Sequence, residues 1–133
     1  MTRKTANTYW VKLYLAGDIN VAKQVCREEC YKEGLCVTIE PCDYIYTGGE
    51  EAGYCVGLIN YPKFPSTPEK ILERAKTLAS KLMERTCQHS VLIMNPTDTE
   101  WLTLRENTVA FNYTDLKHRD PNPTINPEDY EGD

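Results

Sequence analysis

With 133 residues, the chain has room for one domain and a modest core. Its net charge of −5 disfavours nucleic acid, whose phosphates are met by a basic patch, and suits a cationic or zwitterionic small molecule or simple solubility. No apolar run approaches the roughly 20 residues that span a bilayer, and no stretch of signal-peptide type opens the sequence, so a cytoplasmic protein without membrane contact is expected.

Residues 1–6 are polar, and disorder is expected there. Over residues 7–16, Tyr9, Val11, Leu13 and Leu15 alternate with Trp10, Lys12 and Tyr14, the pattern of a strand with one face inward. Trp10 and Tyr14 then share the other face, where another subunit would cover them. Asp18 is a good N-cap. The helix it opens carries Ile19, Ala22, Val25, Cys26 and Cys30 on one side and Lys23, Arg27, Glu28 and Lys32 on the other, with Gly34 as its stop.

Residues 36–62 read as two strands around a loop. Val37, Thr38, Ile39, Tyr44, Ile45 and Tyr46 form the first, and residues 54–59 the second. Between them, Thr47-Gly48-Gly49-Glu50-Glu51-Ala52-Gly53 is longer than a tight turn needs, so a mobile loop is expected. Residues 61–65 break the strand. Ser66 and Thr67 are both N-cap candidates, Ser66 with Glu69 fits a capping box, and Pro68 suits a first helical turn. Ile71, Leu72, Ala75, Leu78, Ala79, Leu82 and Met83 then form the apolar stripe of a helix reaching about Arg85. Residues 90–94, SVLIM, suit a central strand buried on both faces. Residues 100–104 and 109–113 are candidates for short edge strands, and residues 114–133 for a disordered acidic tail.

The order β-α-β-β-α-β is the split βαβ pattern. The expected fold class is therefore α+β, a ferredoxin-like βαββαβ sandwich over residues 7–113 with extra short C-terminal strands. Two helices cover one face of such a sheet, and the other face needs a second cover, such as another subunit.

Six cysteines lack C-x-x-C spacing, so they read as small buried hydrophobes rather than metal ligands or disulfides. There is no nucleophile–histidine–acid set, phosphate loop or dinucleotide fingerprint, and neither metal nor cofactor is expected. The candidate chemistry gathers in the loop. Gly48, Gly49 and Gly53 permit close backbone approach, Glu50 and Glu51 can hold an ammonium, and Tyr44 and Tyr46 offer hydroxyls and stacking faces. A solvated, charged hairpin tip has the same composition. Asp98, Glu100 and Trp101 mark a corner that suits a ligand or an ordinary turn, and His89 suits a helix-terminal cap.

Three stretches resemble the phage-encoded S-adenosylmethionine lyases, long described as hydrolases. They are a strand ending in tyrosine (residues 37–46), a loop with paired glutamates (Glu50-Glu51) before a strand, and a helix leading to a buried strand and turn (residues 88–101). The resemblance spans residues 9–102. It implies a homotrimer of ferredoxin-like subunits, similar to the PII signalling proteins, with sites between subunits. It also implies breakdown of S-adenosylmethionine (SAM) to 5′-methylthioadenosine and L-homoserine lactone, in the host cytoplasm, as an anti-restriction counter-defence. The substrate's own carboxylate attacks its Cγ, so no protein nucleophile is required. Tyr46 and Glu51, or alternatively Glu50, are the implied catalytic residues. Tyr44, Gly49, Glu50, Tyr54 and Glu100 form the implied substrate-binding set, and Tyr44 or Tyr54 is an alternative equivalent of the family's tyrosine. Glu69 is kept as part of the helix cap. Two other readings use the same elements: a non-catalytic PII-like binder or sponge for a small nucleotide, and a phage inhibitor that binds a host protein.

Overall fold

In the computed structural model, which describes residues 1–105, the elements run β1 (Trp10–Ala16), α1 (Ile19–Glu33), β2 (Val37–Tyr46), β3 (Gly49–Ile59), α2 (Pro68–Arg85), β4 (Ser90–Met94) and β5 (Thr99–Thr103). The strands form one antiparallel sheet in the order β2-β3-β1-β4-β5. This is the ferredoxin-like order with β5 added outside β4. The strand expected over 100–104 is β5, one residue earlier. The one expected over 109–113 and the tail over 114–133 lie outside the described residues. Residues 1–9 have no regular structure, so β1 starts at Trp10.

Alternation in β1 decides the layers. Val11, Leu13 and Leu15 are buried on the helix side with Tyr54, Val56, Leu58, Val91 and Ile93 from the neighbouring strands. Ala22, Val25 and Cys26 of α1 and Ile71, Ala75, Leu78, Ala79, Leu82 and Met83 of α2 complete this core. Each fully buried Leu or Ile stabilises it by about 1.5–3 kcal/mol. The other face of the sheet has no helix over it among the described residues. It carries Trp10, Lys12 and Tyr14 of β1, as the alternation predicts, with Leu92 and Met94 of β4 and Trp101 of β5 in register.

Asp18 caps α1 by accepting from the Asn20 N–H at 2.8 Å, and Gly34 ends it at φ 70°. In α2 the cap is Thr67, whose hydroxyl accepts from the Lys70 N–H at 3.2 Å. The Ser66–Glu69 box does not form. The Ser66 N–H instead donates to Asn60 Oδ1, which leaves Thr67 to start the helix, with Pro68 and Glu69 in its first turn. Glu29 is 4 % exposed on α1 and is held by Lys81 Nζ of α2 at 2.5 Å. No helix among the described residues is long and apolar enough to cross a membrane.

The cysteines divide by exposure rather than sharing one fate. Cys26 and Cys55 are buried, and burial pushes each thiol up to about 11. Cys36 follows the α1 cap and Cys87 sits at φ 56° just past α2, and both are exposed. The expectation of buried hydrophobes therefore fails at these two, because each lies in a connection that leaves the core. Ellman's reagent at pH 8 should modify Cys36 and Cys87 at once and leave Cys26 and Cys55 unreacted until the fold opens.

Candidate functional site

The stretch expected as a mobile loop is mostly strand. β2 runs on to Tyr46 and β3 begins at Gly49, leaving only Thr47 and Gly48 as the turn. Gly48 has φ 91°, as a type II turn requires at its third position. Tyr46 pairs with Gly49, Ile45 with Glu50, Tyr44 with Glu51 and Cys42 with Gly53.

This register sorts the candidates by face. Directly paired residues point the same way, and successive residues alternate. Tyr44, Tyr46, Gly49, Glu51 and Gly53 therefore share the helix-free face. Glu50 and Ile45 share the opposite one. The pairing of β1 with β3 stops at Ala16 and Gly53, followed by one bond from the Gly17 N–H to the Ala52 carbonyl at 3.2 Å. Residues 43–51 thus continue past the sheet as a two-stranded arm. Ile45 measures the overhang: it lies on the helix-side face yet is 79 % exposed, because neither helix reaches beneath it.

On the arm, the Tyr46 ring lies across Gly49, where a Cβ would stand 3.1 Å from the ring's Cε2. Glu51 is half-buried beside it. Tyr44 is committed to the backbone: its hydroxyl lies 2.8 Å from the Tyr54 carbonyl oxygen and 3.0 Å from that of Leu15. Burial raises the Tyr44 pKa well above the usual phenol range, so the group remains a neutral donor.

Three candidates lie elsewhere. Tyr54 is fully buried in the core. Thr86 donates to the Leu82 carbonyl, so Tyr54 donates to Thr86 Oγ1 at 2.9 Å, and burial pushes its phenol up to about 12. Glu50 faces away from Tyr46. Glu100 lies on the helix side of β5, paired with Lys76 of α2 at 3.1 Å, with three strands between it and β2. The structure therefore brings together Tyr44, Tyr46, Gly49 and Glu51, and separates them from Glu50, Tyr54 and Glu100.

Sequence reasoning passed over a sulfur and phenol layer beneath the arm. Cys55 pairs with Tyr14 on one side and Glu40 on the other, and Cys42 lies one step diagonally along β2. Burial raises the Tyr14 pKa. The signal was present in the alternation of β1 once its partner strand was known. Among the described residues, two surface depressions lie away from the arm. One, of about 490 Å³, runs along α2 past Glu69, Glu73 and Lys76. The other, of about 90 Å³, lies between Leu35, Leu58, Phe64 and Arg74.

Two solved structures share this architecture. A phage SAM lyase in its apo state superposes with a TM-score of 0.61 at 14% identity, over 79% of this chain and 97% of that one. A phage SAM lyase in complex with S-methyl-5′-thioadenosine gives 0.59 at 15%, over 77% and 95%. The chain has the phage SAM lyase fold. At this identity the likeness speaks for the fold alone. No family model and no curated protein matches the sequence. The superposed part takes in 95–97% of those chains.

Proposed function

We propose that this protein is an SAM lyase that releases 5′-methylthioadenosine and L-homoserine lactone, with its active sites between the subunits of a homotrimer. The observation that carries the reading is the placement of Tyr46 and Glu51 on one face of a projecting arm, in a chain with the phage SAM lyase fold.

The chemistry suits such a site. One oxygen of the substrate carboxylate attacks Cγ, the Cγ–S bond breaks, and its electron pair returns to sulfur. The sulfonium becomes a neutral thioether and the carboxylate becomes the lactone ester, so no water, protein nucleophile or proton transfer is needed. The protein folds the methionine moiety so that its ends meet, a proximity effect, and withholds water from the carboxylate. Glu51 holds the substrate ammonium. That choice over the sulfonium follows from charge: the ammonium keeps its charge through the reaction, whereas the sulfonium loses it, so a carboxylate on sulfur would stabilise the ground state more than the transition state. Tyr46 supplies a ring and hydroxyl against the same moiety.

One face of a ribbon is a single wall. The neighbouring subunit supplies the other, and the helix-free face with Trp10, Tyr14, Leu92, Met94 and Trp101 supplies the contact that joins subunits. Ile45, exposed on the arm, docks against the neighbour. In the cell, this activity would deplete SAM and serve as a phage counter-defence. Incubation with SAM and mass spectrometry of the products tests the proposal, with light scattering for the trimer. Methylthioadenosine and homoserine lactone are the expected products. Binding of SAM without turnover would support a small-nucleotide binder instead.

A further inference from the structure

We infer that Tyr44 is a positioning residue that sets the angle of the catalytic arm, rather than a residue that touches substrate; the inference rests on the arm carrying the active-site residues Tyr46 and Glu51. Tyr44 stands where the arm leaves the sheet. Its direct partner is Glu51, and its side chain crosses diagonally over Gly53. A Cβ at Gly53 would stand 2.7 Å from the Tyr44 ring, so glycine is what lets the phenol descend to the sheet. There it meets two carbonyl oxygens from different strands, Tyr54 of β3 at 2.8 Å and Leu15 of β1 at 3.0 Å. Those residues are register partners, and each carbonyl has a second lone pair free for a side-chain donor beside its ladder bond. The phenol has one proton, shared between the two.

One side chain thus ties together three strands, β2, β3 and β1. It does so within two residues of the last β1–β3 pair, Ala16 with Gly53. Beyond that point the arm is a two-stranded ribbon, a form that is marginally stable alone. A hydrogen bond across its root fixes the arm's direction where the ladder no longer does. Tyr46, the other phenol on this face, pairs with Gly49 and lies two residues further out, beyond the last β1–β3 pair. The hydroxyl that Tyr44 would offer a substrate is already donated to the backbone, which is why the residue's role runs through Glu51 and Tyr46.

Tyr44→Phe keeps the ring over Gly53 and removes only the donor. Amide hydrogen exchange in the full-length protein should then quicken about tenfold at residues 45–51, the effect of losing one hydrogen bond. Exchange in β1 and β4 should stay as in the wild type. In SAM turnover, kcat should fall while KM stays within about twofold, because a loosely aimed arm binds without holding the reactive fold. Three outcomes overturn the inference: unchanged exchange in the arm, a rise spread equally over β1 and β4, or a higher KM with exchange unaltered, which would return Tyr44 to the substrate. The exchange measurement needs no activity. A wild-type protein inert towards SAM would defeat the lyase reading while leaving the brace to be judged by exchange alone.

Discussion

Glu51→Gln should slow methylthioadenosine release on the order of a hundredfold or more, the range seen when one partner of a desolvated charge pair is truncated. The replacement is nearly isosteric and lies on the arm rather than in the core. The melting temperature should therefore stay close to the wild-type value, as for substitutions away from packed features. Glu50→Gln is the informative comparison. Glu50 is adjacent in sequence but points to the opposite face, opposite Ile45, and its loss should cost much less. A larger effect at Glu50 than at Glu51 would mean that the face assignment is wrong. Wild-type turnover in Glu51→Gln would remove the basis of the proposed site.

Gly53→Ala has the largest expected effect on the fold. The added Cβ would stand 2.2 Å from the Leu15 carbonyl oxygen and 2.6 Å from the Ala16 Cα, both backbone atoms that cannot swing aside. Either β1 and β3 separate or the strand bends, and the Tyr44 ring must move as well. Overpacking of this kind costs about 1–3 kcal/mol, and more where the backbone has to shift. Loss of glycine's freedom in the unfolded chain returns at most about 1 kcal/mol. The net should be about 2 kcal/mol, lowering the melting temperature by roughly 10 °C for a domain of this size. Gly34→Ala separates the two ways a glycine matters. Gly34 has φ 70° and nothing within 4 Å of its added Cβ, so only the left-handed strain of about 1 kcal/mol applies. Calorimetry on the two variants should show the larger drop at Gly53. Equal drops would mean that the close approach of Leu15 and Ala16 is not what Gly53 accommodates.

These two residues also show how far the sequence could be read. The alternation of Val11, Leu13 and Leu15, the caps Asp18 and Gly34, and the stripe on α2 depend on spacing along the chain, and each appears in the fold as expected. The acidic hairpin departs from the expected loop for a physical reason. Gly49, Glu50 and Gly53 are poor strand formers, so the stretch looked like a loop. Its strand character comes from contacts that spacing does not reveal. The Tyr46 ring covers Gly49, and the Tyr44 ring covers Gly53, the aromatic rescue of glycine in a strand. Once the turn is known to be Thr47-Gly48 alone, strand alternation separates Glu51 from Glu50 without further information. Tyr44 and Tyr54 illustrate the same limit. By composition they were interchangeable, yet one braces the arm and the other is buried against Thr86. Glu100 looked ligand-facing because it follows a buried strand, and its pairing with Lys76 depends on how α2 crosses the sheet.

The central claim is that Cγ is attacked by the substrate's own carboxylate on an arm bearing Tyr46 and Glu51. Turnover of SAM in water enriched in heavy oxygen tests it most directly. The account predicts methylthioadenosine together with homoserine lactone, and an unlabelled oxygen on Cγ. Later opening of the lactone at its carbonyl would label only the carboxyl group. Heavy oxygen on Cγ would show attack by water, and no methylthioadenosine at all would show that the protein does not cleave SAM; either result would contradict the account.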